Sequence, residues 1–212
     1  MITLDDPEFS LPLKQLGDGT RHGGLLDQIN NLGLEAPVIL AVNPESMQFA
    51  DMVRNLLGAF YNVRFEVEGI GCQQVGDEQY AVHDLPAYPS IRKKGLIILN
   101  AAVDTGATIL AVQDYLDFRY HNIKSMHIGA MVVKGVQEVV APEMTVFATP
   151  QDAYVVGFGL EYNGKHSELE GIRGLTREEK KEKKEKKPHP NMARGKLNRG
   201  MGGPGKIVTV KR

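Results

Sequence analysis

Two short runs, APVILAV at residues 36–42 and GLIIL at residues 95–99, are apolar at almost every position. A strand with one wet face alternates apolar and polar residues, so an unbroken apolar run marks a strand covered on both faces. Such strands belong to parallel sheets flanked by helices. Pro37 stands at the start of the first run, where a missing N–H is tolerated. Asn43-Pro44-Glu45-Ser46 then turns the chain. Ser46 offers a cap to a helix whose Phe49, Val53, Leu56, Leu57 and Phe60 share one face. Val63, Phe65 and Val67 alternate as a second strand. Residues 69–94 lack clear periodicity and read as a long surface loop or a small flap. After the second apolar run a Gly-bearing loop precedes Ile109, Val112 and Leu116 at helical spacing, and residues 126–133, 144–147 and 154–158 read as three further strands. Strand, helix, strand, twice over, predicts an α/β domain with a mainly parallel twisted sheet between helices.

The chain has 212 residues, of which 42% are hydrophobic, enough for one cored domain with an appendage. No apolar run approaches the roughly 20 residues that span a bilayer. The opening MITLDD has neither a basic nor an apolar stretch, so no secretory signal is expected. Cys72 is the single cysteine, which excludes intrachain disulfides and multi-cysteine metal sites and fits a reducing intracellular compartment, cytoplasm or organelle interior. The net charge of −1 conceals a division. Residues 176–212 carry 13 basic and four acidic residues, a charge of +9, and residues 1–175 carry 12 basic and 22 acidic, a charge of −10. The expected organisation is an N-terminal segment (1–35) with a modest helical signal at Leu25, Leu26 and Ile29, an α/β domain (36–175) and a basic low-complexity tail (176–212). In that tail residues 177–187 are almost all Lys and Glu, and residues 188–205 are too rich in Pro, Gly, Asn and Arg to fold alone. Ile207-Val208-Thr209-Val210 is suited to a short strand, on this chain or on a partner.

The most telling stretch is IILNAAVDTGATILAV, residues 97–112. A buried strand ends, Asp104-Thr105-Gly106-Ala107-Thr108 forms a loop, and a helix begins. That is the geometry of an anion site: helix-start N–H groups face the ligand, Gly106 permits close approach, and the Thr105 and Thr108 hydroxyls add donors. Ligands of open α/β sheets also bind at the carboxyl ends of strands. Two other readings stay open here. Asp104 and Thr105 alone would serve as a helix cap. The same Asp-Thr-Gly-Ala would suit an aspartic protease, but it occurs once, so a homodimer would be required, and a helix follows it instead of β structure.

Four segments in order tip this balance: PVILAVNPESMQFADMV, GLIILNAAVDTGAT, a strand ending in Val132-Val133-Lys134, and AYVVGFGLEYN. Over residues 37–169 the chain resembles the hypoxanthine-guanine phosphoribosyltransferase family, whose C-terminal part shows a similar aromatic-Val-Val-Gly-Tyr-x-Leu-Asp-Tyr-Asn run. The resemblance implies a type I phosphoribosyltransferase fold and the transfer of ribose-5-phosphate from phosphoribosyl pyrophosphate to a purine nitrogen, with magnesium. It implies that Asp104 is the catalytic carboxylate near the purine N7, and that Asp104, Thr105, Gly106, Ala107 and Thr108 cradle the 5′-phosphate. Lys134 would meet the exocyclic oxygen of a 6-oxopurine, Tyr154 would stack on the base and Val155 would contact it. Glu161 would replace the aspartate that helps hold magnesium and pyrophosphate. Each has an ordinary reading too: an exposed lysine, a core tyrosine, a surface acid. Family members form dimers or tetramers, so a homo-oligomer is implied as well.

The departures from that pattern fall on charge. Where the family has two adjacent acids ahead of Asp-Thr-Gly, this chain has Asn100-Ala101, which cannot balance a divalent cation. The family's Lys-Gly pair after the first strand is Asn43-Pro44, so a cation and a backbone donor are both lost. The expected arginine falls at Ser167, and residues 69–94 lack the family's Ser-Tyr pair. The expectation is a divergent, catalytically impaired phosphoribosyltransferase homologue, binding phosphate or nucleotide as a regulatory or structural subunit. The alternatives are an active purine phosphoribosyltransferase, and a nucleic-acid-binding protein whose basic tail meets an anionic partner or a large assembly.

Overall fold

The computed structural model describes residues 24–83, 91–135, 139–151, 153–169 and 171–175, and the backbone of 206–209. The Lys/Glu run and the Pro/Gly-rich stretch of the tail lie outside the described residues. The elements are α1 (Leu25–Asn31), β1 (Val38–Val42), a 3-10 turn (Pro44–Ser46), α2 (Met47–Tyr61), β2 (Glu66–Gly76) and β3 (Gln79–His83). They continue with β4 (Gly95–Val103), α3 (Ala107–Arg119), β5 (Ser125–Lys134), β6 (Met144–Thr149), β7 (Val155–Val156), β8 (Arg173–Gly174) and β9 (Lys206–Thr209).

The main sheet runs in the order β6-β5-β4-β1-β2-β3-β9. The strands from β6 to β2 are mutually parallel, with Val38 of β1 opposite both Glu66 of β2 and Leu96 of β4. β3 returns antiparallel to β2. The apolar runs form the middle of this sheet for the reason their composition suggests. Ile39, Ala41, Ile97 and Leu99 join one core with Phe49, Val53 and Leu57 of α2 and with Leu25, Leu26 and Ile29 of α1. Val38, Leu40, Val42, Leu96 and Ile98 join a second core with Ala111, Val112, Tyr115 and Leu116 of α3. Alternate residues of one strand thus feed opposite faces, each buried side chain contributing about 1.5–3 kcal/mol. Among the described residues no helix is long and apolar enough to cross a membrane.

Four local expectations narrow or change. Residues 69–94 take the small-flap alternative and not that of one loop: β2 runs on to Gly76, and β3 pairs back on it with Ile70, Cys72, Tyr80 and Val82 buried. Gly69, Gly71 and the two glutamines hid that alternation. Phe60 leaves the helix face and is 51% exposed, while Tyr61 beside it packs against the core. Residues 154–158 hold only the two-residue β7, paired with β8, after which Gly157 (φ +97°) and Phe158 (φ +53°) turn the chain. Ser46 stands at the N-cap of α2 but makes no side-chain cap bond. Its hydroxyl donates to the Val42 carbonyl (2.5 Å) and accepts from the Ala101 N–H (2.9 Å), bolting β1 to β4 inside the core. The short C-terminal strand forms on this chain's own sheet, where β9 covers the β3 edge.

Candidate functional site

All the parallel strands end on one side of the sheet, and the loops that leave them there form the site. β4 ends at Val103 and α3 starts at Ala107, so residues 104–106 make the turn between them. Gly106 takes φ +87°, and a Cβ there would lie 2.0 Å from the Val140 carbonyl oxygen. The Thr105 carbonyl accepts from the Val139 N–H at 3.0 Å, so the segment entering β6 grips this turn from outside. The Thr105 hydroxyl oxygen accepts from the Ala107 N–H at 3.3 Å, which is a cap-like bond and leaves the hydroxyl proton to donate elsewhere. The next N–H groups of α3 have no earlier helical carbonyl to meet, and the first turn of α3 holds no acid. A cavity of about 120 Å³ opens here, lined by Asn100, Ala102 and residues 103–109. The arrangement suits a small oxyanion.

The other expected residues are distributed around this loop. Lys134 ends β5, and its Nζ lies 5.6 Å from the Tyr154 ring centroid, within cation–π range. Tyr154 meets Tyr162 edge-on, with centroids 4.7 Å apart at 74°. Burial first, then Tyr162 and Glu161, raise the Tyr154 phenol above its ordinary range, so at neutral pH it is an O–H donor. Val155 is buried in the core, which leaves its backbone as the part able to meet a ligand. Lys134 and Tyr154 are therefore brought together, and Asp104 to Thr108 are brought together, as two adjoining halves.

Glu161 belongs to a third place. It lines a cavity of about 640 Å³ with Pro44, Glu45, Gln48 and Ser167, closed on one side by the turn at Gly159. Gly159 presses against the Glu45 carbonyl, where a Cβ would come within 2.5 Å. Among the described residues, two carboxylates and no cation line this cavity. Two backbone donors of the turn after β1 are spent on the fold: the Asn43 N–H bonds the Ile70 carbonyl (2.9 Å) and the Ser46 N–H bonds the Asn43 carbonyl (3.0 Å). The Asn43 side-chain oxygen accepts from the Cys72 N–H at 2.7 Å, so that side chain is tied to β2. Asn100 is buried with its Oδ1 toward the Ala102 N–H at 3.4 Å, and Ala101 is core. This donor set does not fit magnesium. Among the described residues no group of three or more His, Cys, Asp or Glu is placed to hold a metal.

Cys72 sits behind the loop at residues 104–108, its Sγ 3.8 Å from the Thr108 carbonyl. Burial pushes its thiol up to about 11, so at neutral pH it is an inert packing group and no nucleophile. Local pattern did not reveal Gln151, whose Nε2 donates to Asp104 Oδ1, nor the bond from the Ala101 N–H to the Ser46 hydroxyl, nor the Val139–Val140 grip. Gly135, directly after Lys134, was the one available signal: at φ +58° it leaves room for the Gln151 side chain.

No family model matches the chain. The hypoxanthine phosphoribosyltransferase of Haemophilus influenzae is 30% identical over 159 residues, 72% of this chain and 82% of its own. A hypoxanthine-guanine phosphoribosyltransferase of Streptococcus thermophilus is 30% identical over 92 residues, 42% of this chain and 49% of its own. Among solved structures, a Trypanosoma cruzi hypoxanthine phosphoribosyltransferase variant complexed with the product IMP aligns at TM-score 0.64 and 24% identity, covering 74% of this chain and 83% of that one. A hypoxanthine-guanine phosphoribosyltransferase from Bacillus anthracis aligns at 0.62 and 22%, covering 72% and 88%.

Proposed function

Because the chain belongs to the hypoxanthine-guanine phosphoribosyltransferase family, we propose that it keeps the family's phosphate-binding half and has lost the half that handles leaving pyrophosphate. One observation carries this reading. The loop at residues 104–108 offers helix-start donors to an oxyanion, while the larger cavity presents Glu45 and Glu161 with no cation opposite them among the described residues. Transfer from phosphoribosyl pyrophosphate generates a polyanionic leaving group, which metal, lysine or arginine must neutralise. The protein then acts as a nucleotide-binding regulatory or structural subunit. Thr105, Gly106, Ala107 and Thr108 hold the 5′-phosphate, Asp104 faces the base, and Lys134, Tyr154 and Val155 read it. Calorimetric titration of the full chain with ribose 5-phosphate should show binding that magnesium does not alter. Phosphoribosyl pyrophosphate should bind no more tightly than ribose 5-phosphate. A tenfold gain for phosphoribosyl pyrophosphate on adding magnesium would restore the active-enzyme reading.

The charge of residues 176–212, +9 against −10 for the remainder, favours a second role in which the tail meets an anionic partner such as nucleic acid. Binding to a single-stranded oligonucleotide should then weaken steeply with salt. It should also fall when Lys180, Lys181, Lys183 and Lys184 are replaced by glutamine. Affinity indifferent to both changes removes this role.

A further inference from the structure

We propose that Gln151 is a positioning residue for Asp104 and thereby sets the preference of the site for a purine nucleotide over a bare sugar phosphate, an inference that rests on the ligand reading above. Its backbone is fixed first. Gln151 sits in the turn after β6, closed by a bond from the Ala153 N–H to the Pro150 carbonyl at 3.1 Å. Its side chain is seated next. A Cβ on Gly135 would lie 1.9 Å from Gln151 Oε1 and 2.9 Å from its Cβ and Cδ, so the glutamine occupies the space that this glycine leaves. The Gly135 N–H donates to the Thr149 carbonyl at 2.8 Å and holds the ends of β5 and β6 together under that seat. The amide then reaches across to the end of β4 and donates from Nε2 to Asp104 Oδ1.

Three strand ends therefore converge on one carboxylate. Asp104 is exposed, and an exposed carboxylate without a fixed donor samples several rotamers. A charge-assisted bond from a seated amide selects one of them and holds the group as an acceptor. Gln151 also stands between the two halves of the site: Asp104 begins the oxyanion loop, and Lys134, the neighbour of Gly135, approaches the Tyr154 ring. On the ligand reading above, a purine nucleotide would extend from the loop past Asp104 toward that ring, and ribose 5-phosphate would not.

The test titrates the full chain with inosine 5′-monophosphate and with ribose 5-phosphate. Gln151→Ala should weaken the nucleotide about fivefold to tenfold and leave the sugar phosphate within twofold. Gly135→Ala should shift selectivity the same way by unseating the glutamine. Gln151→Glu, which sets two carboxylates against each other, should be worse for the nucleotide than Gln151→Ala. Equal losses for both ligands, or no loss for either, overturn the proposal. If the unsubstituted chain binds neither ligand, the functional reading alone fails, and the pair is judged by thermal melts of Asp104→Asn, Gln151→Glu and their double variant. There the double variant restores an amide–carboxylate pair with roles exchanged and should melt higher than Gln151→Glu; additive losses overturn the pairing.

Discussion

With phosphoribosyl pyrophosphate, magnesium and hypoxanthine or guanine, this chain is expected to form nucleotide at least about 10,000-fold more slowly than its Haemophilus influenzae relative. Removing one preorganised oxyanion stabiliser costs about 100- to 1,000-fold in rate. Here the position of the family's lysine is Asn43, the backbone donor after it is gone at Pro44, the expected arginine is Ser167, and the two acids are Asn100 and Ala101. Such groups act together, so their losses do not multiply in full. The structure adds that the replacements are built in. Asn43 holds the Cys72 N–H, Ala101 is wholly buried with its N–H on Ser46, and Glu45 faces the cavity where pyrophosphate would leave. Putting back lysine and glycine at positions 43 and 44 should therefore cost stability, about 1–3 kcal/mol for the orphaned Cys72 N–H, while raising turnover only in part. Magnesium-dependent turnover within about 100-fold of the relative would show that another route neutralises the leaving group.

Gly106→Ala should abolish ribose 5-phosphate binding and lower stability by about 3–5 kcal/mol, a fall of roughly 6–20 °C in melting temperature. Two costs coincide at this position. The backbone lies at φ +87°, a region that alanine enters at a penalty, and the added methyl would stand 2.0 Å from the Val140 carbonyl oxygen. Neither neighbour is the free end of a side chain, so relief requires the turn or the segment entering β6 to move. Thr105 would then lose its bond from Val139, and the donors at the start of α3 would lose their aim. Val140→Ala keeps the carbonyl and should leave binding almost intact. A Gly106→Ala protein that melts normally and binds ribose 5-phosphate as before would mean that the loop is not the oxyanion site.

Much of the architecture was legible because it rests on local pattern. Unbroken apolar runs identified β1 and β4, and helical spacing from Ile109 to Leu116 identified α3. The β2–β3 hairpin escaped because its buried residues, Ile70, Cys72, Tyr80 and Val82, are interleaved with glycine and glutamine, and because its pairing supplies the order that composition does not. Phe60 misled for the opposite reason: its spacing is right, but the last turn of α2 sets Tyr61 and not Phe60 against the core.

The candidate site divides along the same line. The sequence alone determined the strand–loop–helix unit around Asp104, and it carries Asn43, Pro44, Asn100, Ala101 and Ser167 where the family resemblance implies charged groups or donors, since both concern residues adjacent in the chain or in matching order. Only the tertiary structure decided what those residues do. It gathered Glu45, Gln48, Glu161 and Ser167 around one cavity, tied Asn43 to β2, and brought Gln151 across to Asp104. Charge and hydrogen-bond satisfaction depend on what is near in space, and segments separated by dozens of residues become neighbours only when the sheet aligns the ends of its strands.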